Sequence, residues 1–269
     1  MNQKFVRRCW VGMGGVLLLI GLWGVGKREL YKVFHRCQRC TKAAPTVANG
    51  DKSSPTPYLS QPSAEVLKGL EERKKNPTNV KNREFSGLSV APDLGTDRLI
   101  LRAIEERDID ALAEIFADYE TVFMLAFMPW PFGHDRVVDY VKNISWNMAR
   151  GHSLYWAIAL PGADRLIGVI GLTLEHSHDR AEIHFWLHKD HRGKGYMTEV
   201  ARRVIDYVFR DLQMNRLDVN HLSINIASQR VIEKCGFKLE CERDDFAKKE
   251  GKFEPMKFYR ILRREYLKE

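Results

Sequence analysis

Between Thr96 and Glu269 the apolar positions keep a period, and that period switches between two and about 3.6 residues along the chain. The segment "RLILRAI" (98–104) alternates and predicts a strand, whereas in "RDIDALAEIFADY" Ile109, Leu112, Ala113 and Phe116 share one helical face. "PWPF" (129–132) predicts a rigid aromatic loop, followed by a helix from about Asp135 to Arg150 that Gly151 closes. "LYWAIAL" and "LIGVIGLTL", separated by "PGADR", predict a hairpin, and "AEIHFWLH" (181–188) a third strand of the same meander. Val200, Ala201, Val204, Ile205, Val208 and Leu212 then trace a helical stripe. A strand at about Leu217 to Leu222, a short helix from about Ala227 to Cys235 closed by Gly236, and a last hairpin around "KKEGK" complete the pattern. Strands, a strand–loop–helix crossover and more strands predict an α+β domain over 96–269. Its central sheet is mixed, mostly antiparallel, and flanked by helices.

The first 95 residues lack this patterning. Cys9 to Gly26, "CWVGMGGVLLLIGLWGVG", carries no charge over 18 residues, with Trp10 and Trp23 near its ends. Lys4, Arg7 and Arg8 flank it on one side, Lys27 and Arg28 on the other. Such a run is short for a bilayer span but long enough, although its six glycines lower helix propensity. Residues 1–27 are therefore expected to form a membrane-anchor helix; a cleaved signal peptide and a buried extension remain the alternatives. Five Lys or Arg in the fifteen residues after Gly26 favour the C-terminal side as the cytoplasmic one. Residues 28–95, rich in Pro, Ser, Lys and Asn, read as a disordered basic linker with a transient helix around Ser63 to Lys75. Cys37 and Cys40 form a lone C-x-x-C, open to three readings: a zinc knuckle, an acylation site beside a membrane, or two reduced thiols.

Charge follows the same division. Up to Gly95 there are 16 Lys and Arg against 7 Asp and Glu, a net of +9, and beyond it 27 against 28, a net of −1. The basic character thus belongs to the linker, where attraction to anionic lipid explains it, and no nucleic-acid partner is expected for the patterned domain.

Candidate chemistry centres on "KDHRGKGYMTEV" (189–200), which joins a strand ending near Leu187 and His188 to a helix beginning near Thr198. Helix N-termini present unpaired N–H groups, and glycines at 193 and 195 let an anion approach them. Arg192 and Lys194 add positive charge, so a pyrophosphate fits; a tight turn needing positive φ is the alternative. Glu182, His184 and Trp186 alternate onto one face of the preceding strand. Cys235, before Gly236, reads as core.

In the order and spacing of "TDRLILR", "PWP", "GVIGL", "AEIHFWLHKDHRGKGYMTEV", "NIASQRVIEKCGF" and "EGKFE", the chain from Thr96 onward resembles the GNAT N-acetyltransferases, in particular the RimJ/RimL type that acetylates ribosomal-protein N-termini. The resemblance implies a GNAT-type sheet and acetyl-CoA as cosubstrate, with no metal. It implies that the loop cradles the pyrophosphate, drawing on Leu187, His188, Arg192, Gly193, Lys194, Gly195, Tyr196, Met197 and Thr198, and that Asn225 binds the pantetheine arm. A primary amine is mostly protonated at neutral pH, so its attack on a thioester needs a base to remove a proton, a carbonyl polariser and a donor to the leaving thiolate. Glu182 is expected as the base, with His184 as the alternative, and Ser228 as donor to the sulfur, where a helix-capping serine is the competing reading. Trp130, His184 and Trp186 are expected on the acceptor side. Two departures stand out: Asp190 brings negative charge close to the expected phosphates, and Pro255 replaces an acidic residue common in relatives. The resemblance leaves the acceptor open between a protein or peptide α-amine and a small amine such as an aminoglycoside or polyamine. A CoA-binding domain without catalysis and a monomer or homodimer also remain open.

Overall fold

The hairpin around "PGADR" forms the middle of the sheet, with β3 (Ser153–Ala159) and β4 (Leu166–Glu175) buried on both faces. The computed structural model describes residues 63–75 and 91–268. The expected anchor over 1–27, the Cys37 and Cys40 pair and the rest of the 28–95 linker lie outside the described residues. Among the described residues no helix is long and apolar enough to cross a membrane.

The remaining strands are β1 (Leu94–Gly95), β2 (Ile100–Arg102), β5 (Arg180–Leu187), β6 (Arg216–Leu222), β7 (Lys238–Lys249) and β8 (Lys252–Leu262). They join in the order β1-β2-β3-β4-β5-β6-β8-β7. Every pair is antiparallel except β5 and β6, which run parallel because a helix, α5 (Tyr196–Asp206), crosses between them. Alternation explains the two-sided burial of the central strands. Leu154, Trp156 and Ile158 face Val200, Val204 and Ile205 of α5, while Tyr155 and Ala157 face the opposite layer. That second layer is built from α2 (Ile109–Phe116) and α4 (His134–Ala149), through Leu112, Ile115, Phe116, Val137 and Ile144.

Several elements depart from the sequence expectation. Helix α2 stops at Phe116, and a separate α3 (Tyr119–Met124) follows, capped by Asp118, whose carboxylate accepts from the Thr121 N–H at 3.0 Å. The stripe that continues through Val208 is not all α-helix: residues 207–211 widen into a π turn, with Leu212 N–H bonded to Tyr207 O at 3.0 Å. The helix expected around Ser63 to Lys75 is present as α1 (Ala64–Lys75), but it is not free-standing: it packs on β1 and β2, and Val66 is fully buried. Ala91 and Leu94 also join the core. Helices α6 (Ile226–Lys234) and α7 (Arg263–Tyr266) complete the fold. The outer strand β7 is bulged twice against β8, between Leu239 and Cys241 and between Arg243 and Ala247.

Candidate active site

β5 and β6 pair only over Arg180–Glu182 and Arg216–Asp218, although both strands continue for several residues. Beyond that point they splay, so facing backbone groups of Ile183–Leu187 and Val219–Leu222 have no ladder between them. An extended chain bearing amides can pair with such edges. Glu182 stands at the vertex of this wedge, and Asn220, two residues past the last paired position of β6, donates from Nδ2 to Glu182 Oε1 at 2.5 Å.

Glu182, His184 and Trp186 do share a face, as alternation predicts, but their surroundings differ. His184 Nε2 bonds Thr173 Oγ1 at 3.0 Å across the β4–β5 pair, and Tyr155 also hydrogen-bonds Thr173. Burial keeps the His184 imidazole below its ordinary pKa, opposed by the Glu182 charge, so it is held neutral. Burial, with the Glu182 charge added, pushes the Tyr155 phenol up to about 12. The Tyr155 ring lies flat over Gly171, where a Cβ would come within 2.3 Å of it. Trp186 lies further along, packed against Phe116 and Tyr140 with ring centroids 5.9 and 6.0 Å away. Its Nε1 and the Tyr140 hydroxyl are both buried without a hydrogen-bond partner among the described residues.

The glycine loop leaves β5 through a short 3-10 turn, Lys189–His191, and enters α5 with Gly193 and Gly195 at φ of 75° and 79°. These are left-handed values that cost a side-chain-bearing residue energy. Among the described residues no side chain caps α5, so the first-turn amides of Tyr196, Met197 and Thr198 have no side-chain partner, and a Cβ at Gly193 would meet nothing within 4 Å, whereas one at Gly195 would lie 3.5 Å from Arg98 Nη2. A pyrophosphate fits that cradle on charge and access. The loop is braced from β2's side: Glu199 accepts from Thr96 Oγ1 (2.6 Å), Arg98 N–H (2.9 Å) and Arg98 Nε (2.7 Å), and Arg98 Nη1 donates to Lys194 O (3.1 Å). The Arg98 guanidinium also covers the Tyr196 ring at 4.7 Å.

Arg192 Nη2 donates to Thr121 Oγ1 at 2.6 Å and its Nε to Leu187 O at 3.2 Å, tying the loop to α3; Lys189, Arg192 and Lys194 are all exposed. Hydrogen bonds from Thr121, against a burial penalty and aided by Lys189 and Arg192, hold Asp118 below the usual carboxylate range. Leu187 and Met197 are buried in the core. His188 Nδ1 accepts from Asp190 N–H at 3.3 Å, so Asp190 folds back on its own turn. On α6, Asn225 is the cap: its Oδ1 accepts from Ser228 N–H at 3.0 Å. The cap is therefore Asn225 and not Ser228, which removes the competing reading of Ser228, and the half-buried Ser228 hydroxyl has no partner among the described residues. Cys235 is core, its thiol pushed up to about 12 by burial.

Within residues 98–238 the chain matches the family model described as an acetyltransferase (GNAT) domain. The chain belongs to the GNAT acetyltransferases. It is an N-acetyltransferase whose cosubstrate is acetyl-CoA. This GNAT chain is 33% identical over 175 residues to the putative ribosomal N-acetyltransferase YdaF of Bacillus subtilis (strain 168), covering 63% of this chain and 94% of the relative. It is 28% identical over 174 residues to the uncharacterized N-acetyltransferase p20 of Bacillus licheniformis, covering 64% and 97%. Its fold is also similar to that of RimL, a ribosomal alpha-N-protein acetyltransferase solved in complex with coenzyme A, at TM-score 0.56 and 20% identity over 62% of this chain and 95% of that one.

Around this GNAT core the structure assembles an outer rim that sequence reasoning found only in part. Trp130 lies there, 41% exposed, its ring 5.3 Å from Tyr119 of α3. Tyr119 in turn donates to Glu250 Oε2 at 2.9 Å on the β7–β8 turn. Lys249, buried beside it, donates to the carbonyls of Val122, Leu125 and Met128 at 3.1, 2.9 and 2.7 Å. Lys249 had no signal in sequence, since its partners lie over a hundred residues away. Asn220 had one: alternation places it beside Asp218 on the Glu182 side of β6.

Proposed function

We propose that the acceptor of this acetyltransferase is the α-amine of a protein or peptide, acetylated by direct attack in a ternary complex. The position of Glu182 at the vertex of the splayed strands carries the reading. There a thioester whose pantetheine runs between β5 and β6, and whose pyrophosphate rests on the amides of residues 195–198, meets an amine arriving from the Glu182 face. The amine nitrogen attacks the thioester carbonyl carbon, and its proton passes to Glu182, directly or through one water. The C–S bond then breaks, with the Ser228 hydroxyl donating a hydrogen bond to the departing thiolate. Asn220 orients the Glu182 carboxylate, and His184, neutral and bonded to Thr173, is the second base within the same face. Relatives named as ribosomal N-acetyltransferases support the peptide acceptor. Attachment to a membrane through residues 9–26, with the domain on the cytoplasmic side, belongs to the same proposal and is supported by the uncharged run alone.

Thiol release from acetyl-CoA is the test, run against N-terminal peptides, polyamines and aminoglycosides. Peptide-dependent release is expected, and Glu182→Gln should lower kcat by about a hundredfold or more without loss of CoA binding. Release only with polyamines or aminoglycosides would replace the peptide acceptor with a small amine.

A further inference from the structure

Arg243 on β7 carries, on the Glu182 face, a guanidinium whose Nε is buried with no hydrogen-bond partner among the described residues. Registration carries the face across the sheet: Glu182 bonds Asn220, Asn220 pairs with Phe258 on β8, and Met256, two residues before Phe258, pairs with Arg243. The guanidinium does not run outward from β7. It lies over the Phe258 ring at 4.4 Å and within 5.5 Å of Phe246, two rings that meet edge to face at 5.0 Å. The group is therefore drawn back over β8 toward the vertex, on an apolar floor that also contacts Ala126 of the loop after α3.

What this arginine lacks is as informative as what it touches. Its Nε is buried without a hydrogen-bond partner among the described residues. Neighbouring arginines are fully engaged: Arg216 bonds Asp218 and Glu240, and Arg260 pairs with Glu240 and Glu265. Stacking on phenylalanine satisfies the face of a guanidinium but none of its N–H donors. A buried charged donor left unbonded is a cost the fold carries unless a ligand supplies the acceptor. A planar fork of donors on an aromatic floor matches a carboxylate, which accepts two parallel hydrogen bonds.

We propose that Arg243 is an anion subsite for the acceptor, receiving the side-chain carboxylate of an acidic residue within the first few positions of the incoming peptide. The inference rests on the peptide-amine reading and narrows it to acidic N-termini. The same charge repels polyamines and aminoglycosides, so the subsite sorts acceptors by sign as well as by shape.

Two tetrapeptide amides that differ only by glutamate or glutamine at the second position provide the test. In N-acetylated form they are product analogues, and their binding to the CoA-saturated protein can be measured by calorimetry. The glutamate form is expected to bind roughly tenfold tighter. Arg243→Gln should erase that difference, Arg243→Lys should keep part of it, and CoA affinity should stay constant in both variants, which reports that they are folded. Equal affinities for the wild-type protein, or no binding of the acidic peptide, would overturn the subsite. The unacetylated pair, assayed for thiol release, separates this from the acceptor reading. Preferential binding without release from either peptide would sink the peptide-amine reading and leave the subsite standing. Release from both at equal kcat/KM would do the reverse.

Discussion

Glu199 and Arg98 close on each other across a hundred residues of chain, the Glu199 carboxylate taking both the Arg98 main-chain N–H at 2.9 Å and its Nε at 2.7 Å. Through Arg98 Nη1 the same pair holds the Lys194 carbonyl, fixing the outer half of the glycine loop. If the loop holds the cosubstrate as proposed, away from the reacting atoms, Glu199→Gln and Arg98→Ala should each raise KM for acetyl-CoA by about tenfold, with kcat within about threefold of the wild-type value. Steady-state kinetics with the acceptor held saturating reads this directly. A fall in kcat with KM unchanged would show that the pair serves the chemical step instead.

Lys249 ties the end of β7 to α3. Its three hydrogen bonds collect the end of α3 and the loop to Met128, the segment that leads into Trp130. Lys249→Met keeps the stem and removes the donors; Val122 O and Leu125 O keep the N–H groups of Leu125 and Met128, whereas the Met128 carbonyl loses its donor, at a cost of about 1–3 kcal/mol. Acceptor KM should rise about tenfold while KM for acetyl-CoA moves less than about twofold. Equal changes in both constants would indicate a general loosening of the domain.

Arg102 is expected to govern stability alone. It is fully buried, forked onto Asp108 at 2.6 and 2.8 Å and joined to Asp164 at 2.7 Å, on a strand separated from β5 by β3 and β4. Arg102→Met strands the buried Asp108 carboxylate, so unfolding should become easier by about 3–5 kcal/mol. Thermal denaturation should show a Tm lower by about 10 °C, with CoA affinity preserved at temperatures where the variant is folded.

Stability should also fall as the solution becomes acidic. Burial lowers the pKa of His184, opposed by Glu182, and lowers those of His221 and His191 as well. The unfolded chain takes up protons at these sites near the ordinary value of 6.5 while the folded chain does not, so unfolding gains protons as pH falls. The contribution is complete above pH 6.5, declines below it, and is gone once pH passes the folded values. Tm measured from pH 8 to pH 5 should drop through this window, and His184→Gln should flatten part of the drop. An unchanged slope in that variant would mean that His184 titrates normally in the folded protein.

The sheet and the glycine loop were legible because they depend on periods and on residues adjacent in sequence. The α5 stripe of Val200, Ala201, Val204 and Ile205 and the junction at Gly193 and Gly195 need no partner from elsewhere to be recognised. Helix α3 was not legible: "YETVFM" is too short for a periodic signal and is held by an Asp118 cap and by two distant side chains, Arg192 and Lys249. Arg192 reads as a phosphate ligand from its neighbours, yet Thr121, 71 positions away, determines where it points. Likewise the β2 strand pattern hides the burial of Arg102, whose acidic partners lie at 108 and 164.

An open border strand invites other polypeptides to add themselves to it, and at twelve residues β7 offers a long one. Two breaks of register bend that border, and its residues, "KLECERDDFAKK", place cations and carboxylates where a straight apolar template would be hazardous. One of those bends directly follows Arg243, so the kink beside the anion subsite also protects the molecule from growing into fibrils.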